Sequence, residues 1–170
     1  VMKRARQLES KIAHFEKMCT SRDDLTEICE MAIEENDDSM LEEVTQGVHL
    51  LEEQMESARL ETLLTGEYDS LNALVSFQAG AGGTEAQDWA QMLYRMYTHW
   101  AEAHGFTYKI LDYLDGDEAG IKSASILVEG ANAYGFMKSE NGVHRLVRVS
   151  PFDANARRQT SFAAVEVIPE

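Results

Sequence analysis

Three groups of residues could do chemistry. The first is Gly80-Ala81-Gly82-Gly83, which closes an apolar run and leads into Thr84-Glu85-Ala86-Gln87. Glycine lets backbone N–H groups come close to a ligand, and a helix N-terminus favours hydrogen-bond acceptors. A dinucleotide fingerprint needs Gly-x-Gly-x-x-Gly, and Glu85 stands where the third glycine belongs. No Gly-Lys-Ser/Thr follows, so a P-loop is excluded. Glu85 would repel phosphate. An uncharged ligand with acceptor oxygens, such as a base edge, suits the turn better, and a plain tight turn into a helix is the bland alternative.

The second group is His144-Arg145-Leu146-Val147-Arg148-Val149-Ser150-Pro151-Phe152, with Arg157-Arg158-Gln159-Thr160-Ser161-Phe162 returning after a short loop. Arg145 and Arg148 fall on opposite faces of a strand. A hydroxyl, a rigid proline and an aromatic ring follow them. Hydroxyls and an amide displayed between basic stems suit single-stranded RNA. Phosphates pair with arginine, bases stack on rings, and base edges meet hydroxyls and amides. A surface hairpin with its ring tucked into the core is the structural alternative.

The third group, Asp112, Asp115, Asp117 and Glu118, lacks the Asp-x-Asp-x-Asp-Gly spacing of a calcium loop and reads as a solvated turn. The five histidines have no zinc-ligand spacing, and no serine sits in a Gly-x-Ser-x-Gly setting. Neither a metal nor a catalytic nucleophile is expected. Cys19 and Cys29 read as buried inert thiols, which suits a reducing cytosol. No apolar run approaches the length of a membrane span, and no signal-peptide pattern opens the sequence.

A net charge of −15 over 170 residues argues against a nucleic-acid partner, but the charge is graded. Residues 1–66 carry a net −9 and residues 67–135 a net −7, whereas residues 138–162 carry +3. An acidic body with one basic end differs from a uniformly acidic protein.

The elements that must position these groups follow from periodicity. Leu8, Ile12, Phe15 and Met18-Cys19 form one helical stripe. Ser21, Asp23 and Asp24 suit a helix start, followed by a stripe of Leu25, Ile28, Cys29, Ala32 and Ile33. A break is expected at Asn36 to Ser39, and a third stripe runs from Met40 to Leu60. Three such helices predict an acidic three-helix bundle over residues 1–68. Glu67 to Ser70 read as a linker or turn. Ala73, Val75, Phe77 and Ala79 then alternate as a strand. Thr84 and Gln87 match a capping box opening a helix that reaches Gly105. Strands are expected at 106–113, 121–128, 143–149 and 159–168, with a short helix at 131–138. The fold class predicted is α+β: the bundle, then an α/β domain over residues 69–170 with a mixed, mostly antiparallel sheet.

Gly80-Ala-Gly-Gly-Thr-Glu-Ala-Gln-Asp-Trp89, Gly142-Val-His-Arg-Leu-Val-Arg148 and Ser150-Pro-Phe152 resemble the release factor 2 family among bacterial class I peptide chain release factors. The likeness runs through at least residues 71–170. The Ser-Pro-Phe tripeptide is specific, because the release factor 1 family carries Pro-x-Thr there. The resemblance implies a helical first domain followed by an α/β codon-recognition domain that reads UGA and UAA in the ribosomal decoding centre. Gly82 and Glu85 match positions reading the first-base uridine, largely through backbone groups. Ser150 matches the hydroxyl that accepts A or G at the second base, and Val147 and Thr160 match positions at the third. Pro151 and Phe152 would shape the loop, and Arg145, Arg148, Arg157 and Arg158 would face RNA backbone. Gln159 departs from the family, which commonly has a histidine there that stacks on the codon. A glutamine amide is planar but non-aromatic and offers hydrogen bonds instead.

The resemblance implies partners in the small ribosomal subunit and the mRNA stop codon, with another release factor contacted through the helical domain. It implies a cytoplasmic protein with no cofactor and no membrane contact. The family's Gly-Gly-Gln motif promotes peptidyl-tRNA hydrolysis. It does not occur in these 170 residues and is expected beyond Glu170, so no catalytic residue is expected here. A nucleotide-binding enzyme built on the glycine turn, and an interaction module built on the acidic bundle, are the rival readings.

Overall fold

A computed structural model describes residues 2–35 and 38–170. It divides into two compact units, Val1–Leu63 and Leu64–Glu170.

The first unit is a helical hairpin. Helix α1 spans Met2–Glu35 and α2 spans Leu41–Leu63, with a 3₁₀ turn at Asp38–Met40 leading into α2. The first two of the three expected helices are thus one. Ser21 starts no new helix because nothing there interrupts the backbone ladder. Thr20 and Thr26 donate their hydroxyls back to the carbonyls of Glu16 and Arg22, at 3.1 and 2.8 Å, which satisfies them inside the helix. Of the expected break, Asn36 and Asp37 lie outside the described residues. Glu42 and Glu43 in the first turn of α2 suit the helix dipole. Gly47 marks a close approach of the two helices, since a Cβ there would lie 2.4 Å from Leu25 Cδ2. Ala32 and Val44 are buried, while Leu8, Ile12 and Phe15 stay exposed. Cys19 and Cys29 are half-buried rather than buried.

The second unit is a five-stranded sheet with one long helix across one face. Its elements are β1 (Ala73–Ala79), α3 (Thr84–Ala103), β2 (Thr107–Asp115), β3 (Ile121–Glu129), α4 (Ala133–Met137), β4 (Gly142–Val149) and β5 (Arg158–Pro169). The strand order is β2-β3-β1-β5-β4. Every pair is antiparallel, so the mostly antiparallel expectation resolves to a wholly antiparallel sheet. A tight turn joins β2 to β3 and a loop over residues 150–157 joins β4 to β5, connections that suit antiparallel neighbours.

The alternation read in β1 sets the core. Ala73, Val75 and Phe77 are fully buried beneath α3, and so are Ala124, Ile126 and Val128 of β3 and Ala163 of β5. Helix α3 presents Ala90, Leu93, Tyr97 and Ala101 to them. Small alanines let the helix sit close, and a ring the size of Phe77 contributes ~2–3 kcal/mol by burial. Asp69, in the expected linker, is buried. It accepts hydrogen bonds from the Gly66 amide at 2.8 Å and Lys138 Nζ at 2.6 Å. The Lys138 ammonium, with the Gly66 amide, holds that carboxyl below its usual range.

Candidate nucleic-acid interface

The glycine turn lies along the end of β5. The Gly80 amide donates to the Phe162 carbonyl at 2.9 Å, and the Phe162 amide donates to Ala81 at 3.1 Å. A Cβ on Gly80 would meet the Phe162 oxygen at 2.8 Å, and one on Gly82 would meet Ser161 Cβ at 2.8 Å. Gly82 and Gly83 have φ of 135° and 58°, which side-chain-bearing residues rarely adopt. Gly83 is the N-cap of α3 and no side chain caps it. The expected capping box does not form, because Thr84 and Gln87 turn to another element. Amides of a first helical turn have no carbonyl a turn behind them, so this tip offers donors to an acceptor-bearing ligand.

Glu85 sits in that first turn, yet its side chain is buried. Its Oε1 accepts from Arg148 Nε at 2.5 Å and its Oε2 accepts from Ser150 Oγ at 2.6 Å. Arg148 also donates through its Nη atoms to Asp88 Oδ2 and to Met92 Sδ at 3.4 Å. Burial alone would raise the Glu85 carboxyl, but the hydrogen bonds from Arg148 and Ser150, with the Arg148 charge, hold it below its ordinary range. Arg148 is held more firmly protonated, chiefly by its bond to Glu85 and against the effect of burial. One guanidinium thus joins α3 to β4, and Ser150 follows two residues later.

Ser150 opens a loop over residues 150–157. Its hydroxyl accepts the Phe152 amide at 3.1 Å, and its own amide donates to the Arg157 carbonyl at 3.3 Å. Asp153 organises the rest. It accepts from Arg157 Nε at 2.8 Å, the Asn155 amide at 2.9 Å and Gln159 Nε2 at 3.0 Å. The Arg157 bond foremost, then those from Asn155 and Gln159, lower its carboxyl to about 2. Pro151 is exposed, and Phe152 is 46% exposed, not tucked into the core.

Glu85, Arg148 and Ser150 therefore meet directly, and Arg157 and Gln159 join through Asp153. Val147 faces Thr160 across the β4–β5 ladder, and Arg145 faces Phe162. The two strand arginines do face opposite ways: Arg145 is exposed, while Arg148 turns toward α3. Among the described residues Arg145 and Arg158 have no ion-pair partner, whereas Arg148 and Arg157 are committed to carboxylates. Asp88 and Asp153 belong to the site although no motif in the sequence singles them out. Asp88 had a signal, its i, i+3 spacing from Glu85 on one helix face; Asp153 had only its i, i+4 spacing to Arg157. Among the described residues no group of side chains could hold a metal ion, and no helix is long and apolar enough to cross a membrane.

An α3 tip and a β-hairpin loop locked together by a buried carboxylate define a presentation domain, with backbone donors at the tip and the Ser150 hydroxyl, itself buried, at the joint between tip and loop. The chain belongs to the PCRF domain family, whose model matches residues 1–165. It is similar over its whole length to peptide chain release factor 2. The protein of that name from Nitratiruptor sp. is 51% identical over 170 residues, covering 100% of this chain and 46% of the relative. That from Helicobacter pylori strain Shi470 is 50% identical over 164 residues, covering 96% and 45%. The solved structure of release factor 2 of Thermus thermophilus matches with a TM-score of 0.67 at 42% identity, over 98% of this chain and 48% of that one. The chain thus spans about half the length of the relatives it matches.

Proposed function

We propose that the second unit reads the stop codons UGA and UAA in the decoding centre of the small ribosomal subunit, as part of translation termination in the cytoplasm. The observation carrying this reading is the Ser150 hydroxyl, held at 2.6 Å by a buried carboxylate beside an exposed Phe152. A hydroxyl both donates and accepts. While it donates to Glu85, its free lone pair can take an amino proton from adenine. Rotated away from Glu85, it can donate to the guanine carbonyl oxygen. That is the tolerance a second-position A or G requires.

Gly82 and Glu85 read the first-base uridine through backbone groups. Val147 and Thr160 flank the third base, and Pro151 and Phe152 shape the loop. Arg145 and Arg158 face RNA backbone, with Arg157 at the loop's stem. Gln159 and Arg148 support the loop from within through Asp153 and Glu85. The hydrolytic step is assigned to a Gly-Gly-Gln segment that these 170 residues do not contain.

Binding to ribosomes programmed with UGA, UAA, UAG or UGG tests the reading. Preference for UGA and UAA is expected, and equal affinity for UGA and UGG would sink it. The helical unit, with net −9 over residues 1–66 and exposed Leu8, Ile12 and Phe15, is proposed to contact another release factor. Deleting it should abolish that contact and leave codon preference unchanged.

A further inference from the structure

The β2–β3 turn, Gly116–Gly120, lies directly against the first turn of α3. A Cβ on Gly120 would lie 2.2 Å from the carbonyl carbon and oxygen of Gln87 and 2.3 Å from the Asp88 nitrogen. These are backbone atoms, which cannot rotate aside. Gly120 also has a φ of 72°, so two independent constraints reserve the position for glycine.

Two side chains complete the seam. Gln87 Oε1 accepts the Asp117 amide at 3.3 Å, and Thr84 Oγ1 donates to Glu118 Oε2 at 3.2 Å. These are the residues that a capping box would have used within the helix. The turn is closed by the Gly116 amide on the Gly120 carbonyl at 2.9 Å and pinned by Lys122 Nζ on Asp117 Oδ1 at 2.6 Å.

The turn thus touches the backbone at Gln87 and Asp88. Asp88 is the second carboxylate on Arg148, whose other partner is Glu85. An acidic turn that reads as solvent-facing decoration is braced against the helix end that carries the glycine tip and the Glu85 anchor.

We infer that the β2–β3 turn is a positioning element for the α3 tip, with Gly120 and Gln87 as the positioning residues that set first-base discrimination. This rests on the codon-reading function proposed above. The backbone donors of the tip discriminate only if their direction is fixed. No side chain caps the helix; β5 holds the tip at Gly80 and Ala81, Arg148 and Ser150 hold Glu85, and the turn adds the support on the side of Gln87 and Asp88.

The test uses the whole chain and two variants, Q87M and G120A. Q87M keeps side-chain length and loses the acceptor; G120A pushes the turn off the helix. Affinity is measured for ribosomes programmed with UGA and with CGA, and amide chemical shifts are recorded for Gly82, Gly83 and Glu85. The expected result is a folded Q87M whose UGA-over-CGA preference falls about tenfold (~1.4 kcal/mol), with shift changes reaching Gly82–Glu85. G120A should lose more. An unchanged UGA-over-CGA ratio in folded variants, with shift changes confined to residues 115–120, overturns the positioning role and leaves codon reading standing. If G120A does not fold, Q87M alone decides. A parent chain that binds UGA and CGA equally overturns the codon-reading function and this inference with it.

Discussion

Glu85 and Ser150 are sixty-five residues apart in sequence, and the Ser150 hydroxyl donates to the Glu85 carboxylate at 2.6 Å. That bond joins the first turn of α3 to the β4–β5 loop. It makes the glycine tip and the Ser-Pro-Phe loop one object, so a change on either side is felt on the other.

Replacing Ser150 by alanine should cost both readouts. The Phe152 amide loses its acceptor and the buried Glu85 loses a donor, a loss of about 1–2 kcal/mol in urea unfolding. Stop-codon affinity should fall by ~1–3 kcal/mol, the scale of one base contact.

Replacing Arg148 by methionine leaves two carboxylates facing each other without a cation. Removing one partner of a fully buried pair costs about 3–5 kcal/mol. Arg148 and Asp88 keep some solvent access, so ~2–3 kcal/mol is expected from urea unfolding. The direction in which the Glu85 carboxyl is shifted should also reverse. In the parent it is lowered, so its contribution is present above the unfolded value and lost as pH falls through the folded one. In R148M burial dominates and the carboxyl should titrate above its ordinary value, so acid stabilises rather than destabilises. Carboxyl carbon shifts across a pH titration check this.

Loop order should survive well into acid. Asp153 titrates at about 2 rather than 3.8, a lowered value, so its bonds hold above pH ~4 and are lost as pH falls through about 2. The Asn155 amide resonance should stay in place at pH 3 and move below pH 2. In Gln159→Ala the midpoint should move upward, because one donor to the carboxylate is gone.

Tyr97 should resist ionisation until strong alkali. Burial, and then the hydrogen bond its hydroxyl donates to Glu140 Oε2 at 2.5 Å, raise the phenol. Absorbance of the phenolate should show a component that forms only in strong alkali and is missing from the Tyr97→Phe variant. Tyr97→Phe should cost about 1 kcal/mol and remove the late-titrating group.

Much of the second unit was written in local pattern. Alternation in Ala73–Ala79 placed β1, helical spacing from Trp89 to Trp100 placed α3, and the glycines at 80–83 placed the turn between them. Period and turn chemistry are local, so residues near in sequence reveal them. In the helical unit the same local pattern predicts one helix more than α1 and α2. Ser21-Arg22-Asp23-Asp24 has the residue types of a helix start, and only the continuous ladder through Thr20 and Thr26 shows that it is not one.

Sequence alone determined the residue types at the tip and the loop, the acidic body with its basic end, and the family. The tertiary structure decided which groups are free to act. It turned Arg148 from an RNA-facing arginine into a strut between Glu85 and Asp88, and drew Arg157 and Gln159 onto Asp153. It set the acidic turn against α3. The reason is distance along the chain: a bond between residues sixty or more positions apart depends on sheet order and helix placement, which no local pattern encodes.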